Sequence, residues 1–197
     1  METIETSGVV IGVQSATETG SVAALDVFTV DFGIMKFFSR LRFPIEPACV
    51  FEDVALSGTK TTATAGNFHG VKFLSKNHDR MLQNGSLKQA KIFVDTMRNI
   101  VFDGVPLEDL LVITKQAIRN FALNFDPNVV LLKGLYLICR EEGYAVDIDW
   151  LHSLPENDRT LAKEVISSEL SHGARAENDI SQLEALVSSL RHWTLSV

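Results

Sequence analysis

The residues with most to offer chemically are four that alternate along one stretch: Lys36, Phe38, Arg40 and Arg42. If residues 33–41 form a strand, successive side chains point to opposite faces. These four then share one face, and Met35, Phe37, Ser39 and Leu41 share the other. One face is basic with an aromatic ring among the charges. Single-stranded nucleic acid is held by that combination, cations following the phosphates and rings stacking on bases. Lys72 and Lys76 repeat a basic alternation further on, with Lys60 in the segment before them. The same pattern also describes the solvated outer face of an antiparallel sheet whose inner face is apolar.

A second set of cations interrupts apolar helical sequence. Lys133 is the only charge between Asn128 and Cys139, and Arg140 follows seven residues later on nearly the same helix face. Lys115 and Arg119 form another basic pair at i, i+4. Cations rimming an apolar helix surface could receive an acidic peptide that ends in a hydrophobic residue and a carboxylate. The alternative is that these long side chains snorkel out of a packed core.

Catalytic patterns are missing. The chain has no Gly-rich phosphate loop, no GxSxG and no HExxH. His69, His78, His152, His172 and His192 are scattered without metal-ligand spacing, and His152 and His192, beside tryptophans, read as packing residues. Glu141, Glu142, Asp147 and Asp149 read as solvated surface charge. Cys49 and Cys139, ninety residues apart, suit neither a structural zinc site nor a disulfide framework. The expectation is a protein that is not an enzyme and uses no cofactor or metal; an unrecognised enzyme would instead show a deep polar pocket with perturbed carboxylates.

The elements must position these residues within 197 residues, of which 46% are hydrophobic and 22% charged, enough for one large domain or two small ones. A net charge of −7 argues against a protein that coats nucleic acid through bulk charge. Residues 1–80 carry −2 and residues 81–197 carry −5, so a local basic patch on the first part survives. The acidic start, Met1 to Glu5, lacks the positive charge of a secretory signal. The longest apolar run, Val129 to Cys139, is too short to span a bilayer. A reduced, soluble, cytoplasmic protein is expected.

Residues 1–80 are rich in Val, Phe, Thr and Gly with short apolar alternations. They predict five strands, at about Gly8–Gln14, Ser21–Val30, Gly33–Leu41, Cys49–Leu56 and Asn67–Leu74, with a tight turn at Asp31-Phe32-Gly33 and a polar loop over 57–66. Five short strands fit an OB-fold-like β-barrel. From about residue 83 the period becomes helical. Ser86 predicts an N-cap for a helix to Ile100, Pro106 opens the next, and Asp126-Pro127 opens an apolar helix that stops at Gly143. After a polar break at 153–157, two amphipathic helices follow near Asp158–Leu170 and Glu177–Leu195. The fold class is α+β: a five-stranded OB-fold-like barrel over 1–80, then an α-helical domain of about five helices over 81–197.

The run from Ser15 to Thr29, with Glu18-Thr19 in its turn and Val27-Phe28-Thr29 closing its strand, then Gly33 and a strand holding Lys36 and Arg40, resembles the N-terminal OB-fold of RecO, the bacterial recombination-mediator family. An apolar helix ending in Gly143-Tyr144 and continuing Ala145-Val146-Asp147-Ile148-Asp149 is similar to that family's helix exit. The resemblance covers about residues 7–56 and 126–150. Many members carry a four-cysteine zinc module after the position matching Asp149; this chain passes directly through Leu151–Asn157 to its next helix. The family's basic Ser-rich loop after the third strand is replaced by Leu41–Glu46, and the end, Leu190–Val197, lacks its basic tail. A short, zinc-less member is the expectation.

The resemblance implies a non-catalytic, nucleoid-associated mediator of DNA repair. Such a protein binds single-stranded and double-stranded DNA, associates with RecR and engages the acidic C-terminal tail of single-stranded DNA-binding protein (SSB). It anneals strands and helps load RecA, with no membrane partner. Lys36 and Arg40 would contact DNA, joined by Phe38, Arg42, Lys72 and Lys76; Lys133 matches a basic position on the tail-binding helix, which Arg140, Lys115 and Arg119 extend. The alternative is a protein-only adaptor that has lost DNA affinity and acts through partners.

Overall fold

The computed structural model describes residues 2–15, 22–39, 49–101, 107–170 and 177–196. The chain divides into two compact units, Met1–Arg80 with Phe102–Lys115, and Met81–Val101 with Gln116–Val197.

In the first unit β1 (Glu2–Ser15), β2 (Val22–Thr29), β3 (Gly33–Ser39), β4 (Asp53–Lys60) and β5 (Ala65–Phe73) close a barrel in the order β1-β2-β3-β5-β4. Every pairing is antiparallel except β3 with β5, which run parallel from Lys36↔Ala65 to Ser39↔Phe68. This is an OB-fold-like barrel, as the strand pattern predicts. Alternation fills its interior: Leu25 and Val27 from β2, Met35 and Phe37 from β3, Val54 and Leu56 from β4 and Phe68 from β5 form one buried cluster. Each large apolar side chain so buried contributes roughly 1.5–3 kcal/mol relative to exposure.

The strand ends differ from the sequence expectation. β1 begins at Glu2 because Ile4 and Thr6 turn inward between the exposed Glu2, Thr3 and Glu5. The expected loop over 57–66 is mostly sheet, with only Thr61–Thr64 left as the connection. Its small residues serve close approach: a Cβ on Gly58 would lie 2.4 Å from the Asn67 carbonyl oxygen. β4 starts at Asp53 rather than Cys49 because Phe51, although apolar, sits at φ 74°, where no strand can run. Two side chains hold this corner. The Glu52 carboxylate accepts from Ser75 Oγ at 2.6 Å and from the His78 backbone N–H at 2.9 Å, and Asn77 Nδ2 donates to the Phe51 carbonyl. The β2–β3 turn forms as expected, with Gly33 at φ 65° and Thr29 Oγ1 donating to the Gly33 carbonyl.

Seven helices follow among the described residues: α1 (Asn77–Asn84), α2 (Leu87–Ile100), α3 (Glu108–Ala122), α4 (Pro127–Glu141), α5 (Leu151–Ser153), α6 (Glu156–Ser167) and α7 (Glu177–Thr194). The short α1 and α5 are the additions to the expected set. In the second unit α4 packs against α2, α6 and α7. Its buried residues, from Asn128 to Cys139, go almost all the way round, as its composition predicts. Asp126 caps it, accepting from the backbone N–H groups of Asn128 and Val129. Its end is a Schellman closure: Gly143 at φ 80° donates to the Arg140 carbonyl, and Tyr144 to Cys139. Ser86 departs from expectation. It precedes α2, but its hydroxyl bonds Asn84 Oδ1 and the Phe121 carbonyl instead of capping the helix. Residues 146–150 form a π-helical turn. It buries Trp150, whose indole N–H donates to Ser189 Oγ, while His152 is exposed. No described helix is long and apolar enough to cross a membrane.

Candidate nucleic-acid interface

The alternation read in β3 is present as geometry. Met35 and Phe37 are fully buried in the barrel, whereas Lys36 is half-buried and Phe38 is 43% exposed on the outside. Arg40 and Arg42 lie outside the described residues, as do the β1–β2 turn around Glu18, the helix-opening Pro106 and His172. The outer face is not uniformly wet. Val9, Phe28 and Ile34 face outward by strand parity yet are buried, so the accessible part of β3 is its second half.

Lys36 is opposite Asp26 on β2, its ammonium 3.7 Å from the Asp26 carboxylate. That carboxylate is only 10% exposed, so it sits against the sheet and its charge is poorly screened. Lys36 offers a phosphate less than a lone lysine would. The β4–β5 connection adjoins it: the Lys36 backbone N–H donates to the Thr64 carbonyl at 2.9 Å. Lys60 ends β4 with its ammonium 4.3 Å from the Phe32 ring centroid in the β2–β3 turn, a cation–π contact.

The barrel does not gather all its lysines. Lys36 is opposite Ala65, and Lys72 lies seven positions further along β5, roughly 23 Å at about 3.3 Å per residue. Lys72 instead borders a shallow groove of about 400 Å³ with Glu5, Ser57 and Gly70. Lys76 is exposed in the segment between β5 and α1.

No protein-family model matches the chain, and no curated protein matches it.

The cations of the helices are more engaged than their spacing suggests. Lys133 Nζ donates to the Ser168 carbonyl, closing the end of α6, and burial pushes its pKa below the ordinary lysine value. Arg140 is exposed with its guanidinium 5.9 Å from the Tyr136 ring centroid. Tyr136 donates its hydroxyl to Asp147, and burial together with that bond pushes its pKa up to about 12. Burial first, and the neighbouring Glu141 charge second, raise the Glu142 carboxyl. Lys115 lies 3.8 Å from Asp53, and Arg119, one turn on, is exposed. Both cysteines are buried free thiols, pushed up to about 11 for Cys49 and about 12 for Cys139 by desolvation.

Sequence reasoning missed two neighbours of the β3 face. Asp26 was hidden because its partner is set by strand register, and Asn67 because the parallel β3–β5 pairing places it opposite Phe38. Only a barrel of this strand order makes that second neighbour visible.

Proposed function

We propose that this chain is a RecO-type recombination mediator whose barrel contacts single-stranded DNA and which performs no covalent chemistry. The observation that carries the reading is the outward pair on β3, a cation at Lys36 and an exposed ring at Phe38, on an OB-fold-like barrel whose β2–β3 face is the usual oligonucleotide side. In this reading the barrel binds single-stranded and secondarily double-stranded DNA. The second unit engages a RecR-like protein and the SSB tail through Lys133, Arg140 and Arg119, promoting annealing and RecA loading; Lys115 belongs to the first unit, against Asp53. With Lys133 committed to the Ser168 carbonyl, Arg140 and Arg119 are the cations best exposed for an acidic tail.

Binding of a labelled 30-nucleotide strand across a salt series tests the DNA part. Lys36→Ala combined with Arg40→Ala should weaken binding and flatten the salt dependence by about 0.7 for each phosphate that is no longer neutralised. No binding at low salt, or no change in the double variant, overturns it. A peptide with acidic residues and a C-terminal Phe tests the tail site: Arg140→Glu with Arg119→Glu should abolish binding, and unchanged affinity removes that assignment.

One observation favours a protein-only adaptor instead: the Asp26 carboxylate already neutralises Lys36. That reading expects undetectable DNA binding alongside intact association with a RecR-like partner.

A further inference from the structure

Strand parity and register place a row of residues on the outer face at the level of Phe38, of which Ala24 is buried. Ala24 on β2 pairs with Phe38, Phe38 with Asn67 on β5, Asn67 with Thr59 on β4, and Thr59 with Thr3 on β1. The row is uncharged, whereas the row beside it carries the Lys36–Asp26 pair. Asn67 faces outward because its neighbours Gly66 and Phe68 are both buried. Thr59 Oγ1 is already engaged with His69 Nε2 at 2.6 Å. Among the described residues no side chain or backbone group bonds the Asn67 amide, which is half-buried next to an exposed ring.

Adjacent strands lie about 4.8 Å apart, so a planar group resting on Phe38 has its edge within reach of Asn67. A primary amide presents donor and acceptor side by side. Every nucleobase also presents a donor and an acceptor side by side on its Watson–Crick edge, and in a duplex that edge is consumed by pairing. We infer that Phe38 and Asn67 together form a subsite for one unpaired nucleobase, Phe38 stacking on its face and Asn67 bonding its Watson–Crick edge. The subsite selects single strands over duplex with little preference among bases, because the amide can present either order of donor and acceptor. It rests on the nucleic-acid reading above and adds to it the part of the ligand that is recognised.

The test compares the full chain and its variants on a mixed-sequence 30-nucleotide strand, the same sequence as duplex, and a 30-nucleotide strand that is abasic throughout. Phe38→Ala should weaken single-strand binding at least about fivefold and Asn67→Ala about three- to tenfold, with duplex binding and the salt slope unchanged. Phe38→Trp should keep the affinity, and its emission should be quenched by the normal strand and not by the abasic one. The abasic strand should bind the wild type and Phe38→Ala equally. Equal losses on single strand and duplex, or a Phe38→Ala variant whose preference for the normal strand over the abasic one equals the wild type's, overturn the subsite while leaving DNA binding in place. A wild type that binds none of the three at low salt overturns the nucleic-acid reading itself.

Discussion

Lys36 and Asp26 face each other across β2 and β3 with 3.7 Å between ammonium and carboxylate, and the carboxylate is the more buried of the two. A cation on the proposed binding face is thereby held in place and partly cancelled at the same time. Orientation is gained, and long-range attraction for phosphate is given up.

Replacing the carboxylate should reverse that balance. Asp26→Asn keeps the shape and removes the charge, so single-strand affinity at low salt should rise about two- to fivefold and the salt slope should steepen by up to about 0.7 as Lys36 becomes free to displace a counterion. Fluorescence anisotropy across a salt series measures both. Weaker binding in Asp26→Asn would mean that the ion pair positions Lys36 more than it masks it.

The corner that follows Phe51 depends on one buried acid. Glu52 accepts from Ser75 Oγ and the His78 backbone N–H while only 5% exposed. Glu52→Ala should leave both donors without a partner and cost about 2–4 kcal/mol in urea unfolding, and Glu52→Gln, which restores one acceptor, about half as much. An effect below about 0.5 kcal/mol would show that water replaces the carboxylate there.

Gly58 sits directly against the β5 backbone at Asn67 and Phe68. Gly58→Ala puts a methyl group within 2.4 Å of the Asn67 carbonyl oxygen, so the strands must part. The expected cost is about 1–3 kcal/mol, with a loss of single-strand affinity because the Asn67 amide is re-aimed beside Phe38. Thermal unfolding and anisotropy on the same sample separate the two effects.

Alkaline pH should expose the Tyr136–Asp147 bond. The Tyr136 phenol keeps its proton to about 12 in the folded chain against 10.0 in the unfolded one. Between those values the native state binds more protons, so stability is complete below pH 10 and falls as pH rises toward 12. The loss attributable to this group is on the order of 1–3 kcal/mol. Tyr136→Phe should be slightly less stable at about pH 8 and should lose less between about pH 10 and 12, as read from urea midpoints at each pH.

What could be read from the sequence followed from periodicity and local caps. The five strands, the inward Met35 and Phe37, the Asp126 cap and the Gly143 stop all declare themselves within a few residues, because alternation and backbone conformation are local properties. The expected β4 start failed at Phe51, where a good strand former adopts a left-handed conformation held by contacts from residues 75–78. The 57–66 segment failed for the opposite reason: small polar residues that resemble a loop are what two closely approaching strands need. At the candidate site, Lys36 and Phe38 were legible from spacing alone. Asp26 and Asn67 were not, because each is brought to the site by pairing with a strand whose register no local pattern announces. Lys133 was visible as an isolated cation in an apolar run, but its partner, the Ser168 carbonyl, lies thirty-five residues away.

The parallel pairing of β3 with β5 ties the proposed recognition and the folding of the barrel to a single alignment. A slip of one residue in β5 would set Gly66 or Phe68 opposite Phe38 in place of Asn67, and would turn the Phe68 ring from the barrel interior toward water. Drift at the site is therefore opposed by the full burial energy of the core. Substitutions there change the chemistry that the face presents, but the spacing between ring and amide is kept for as long as the barrel stays closed.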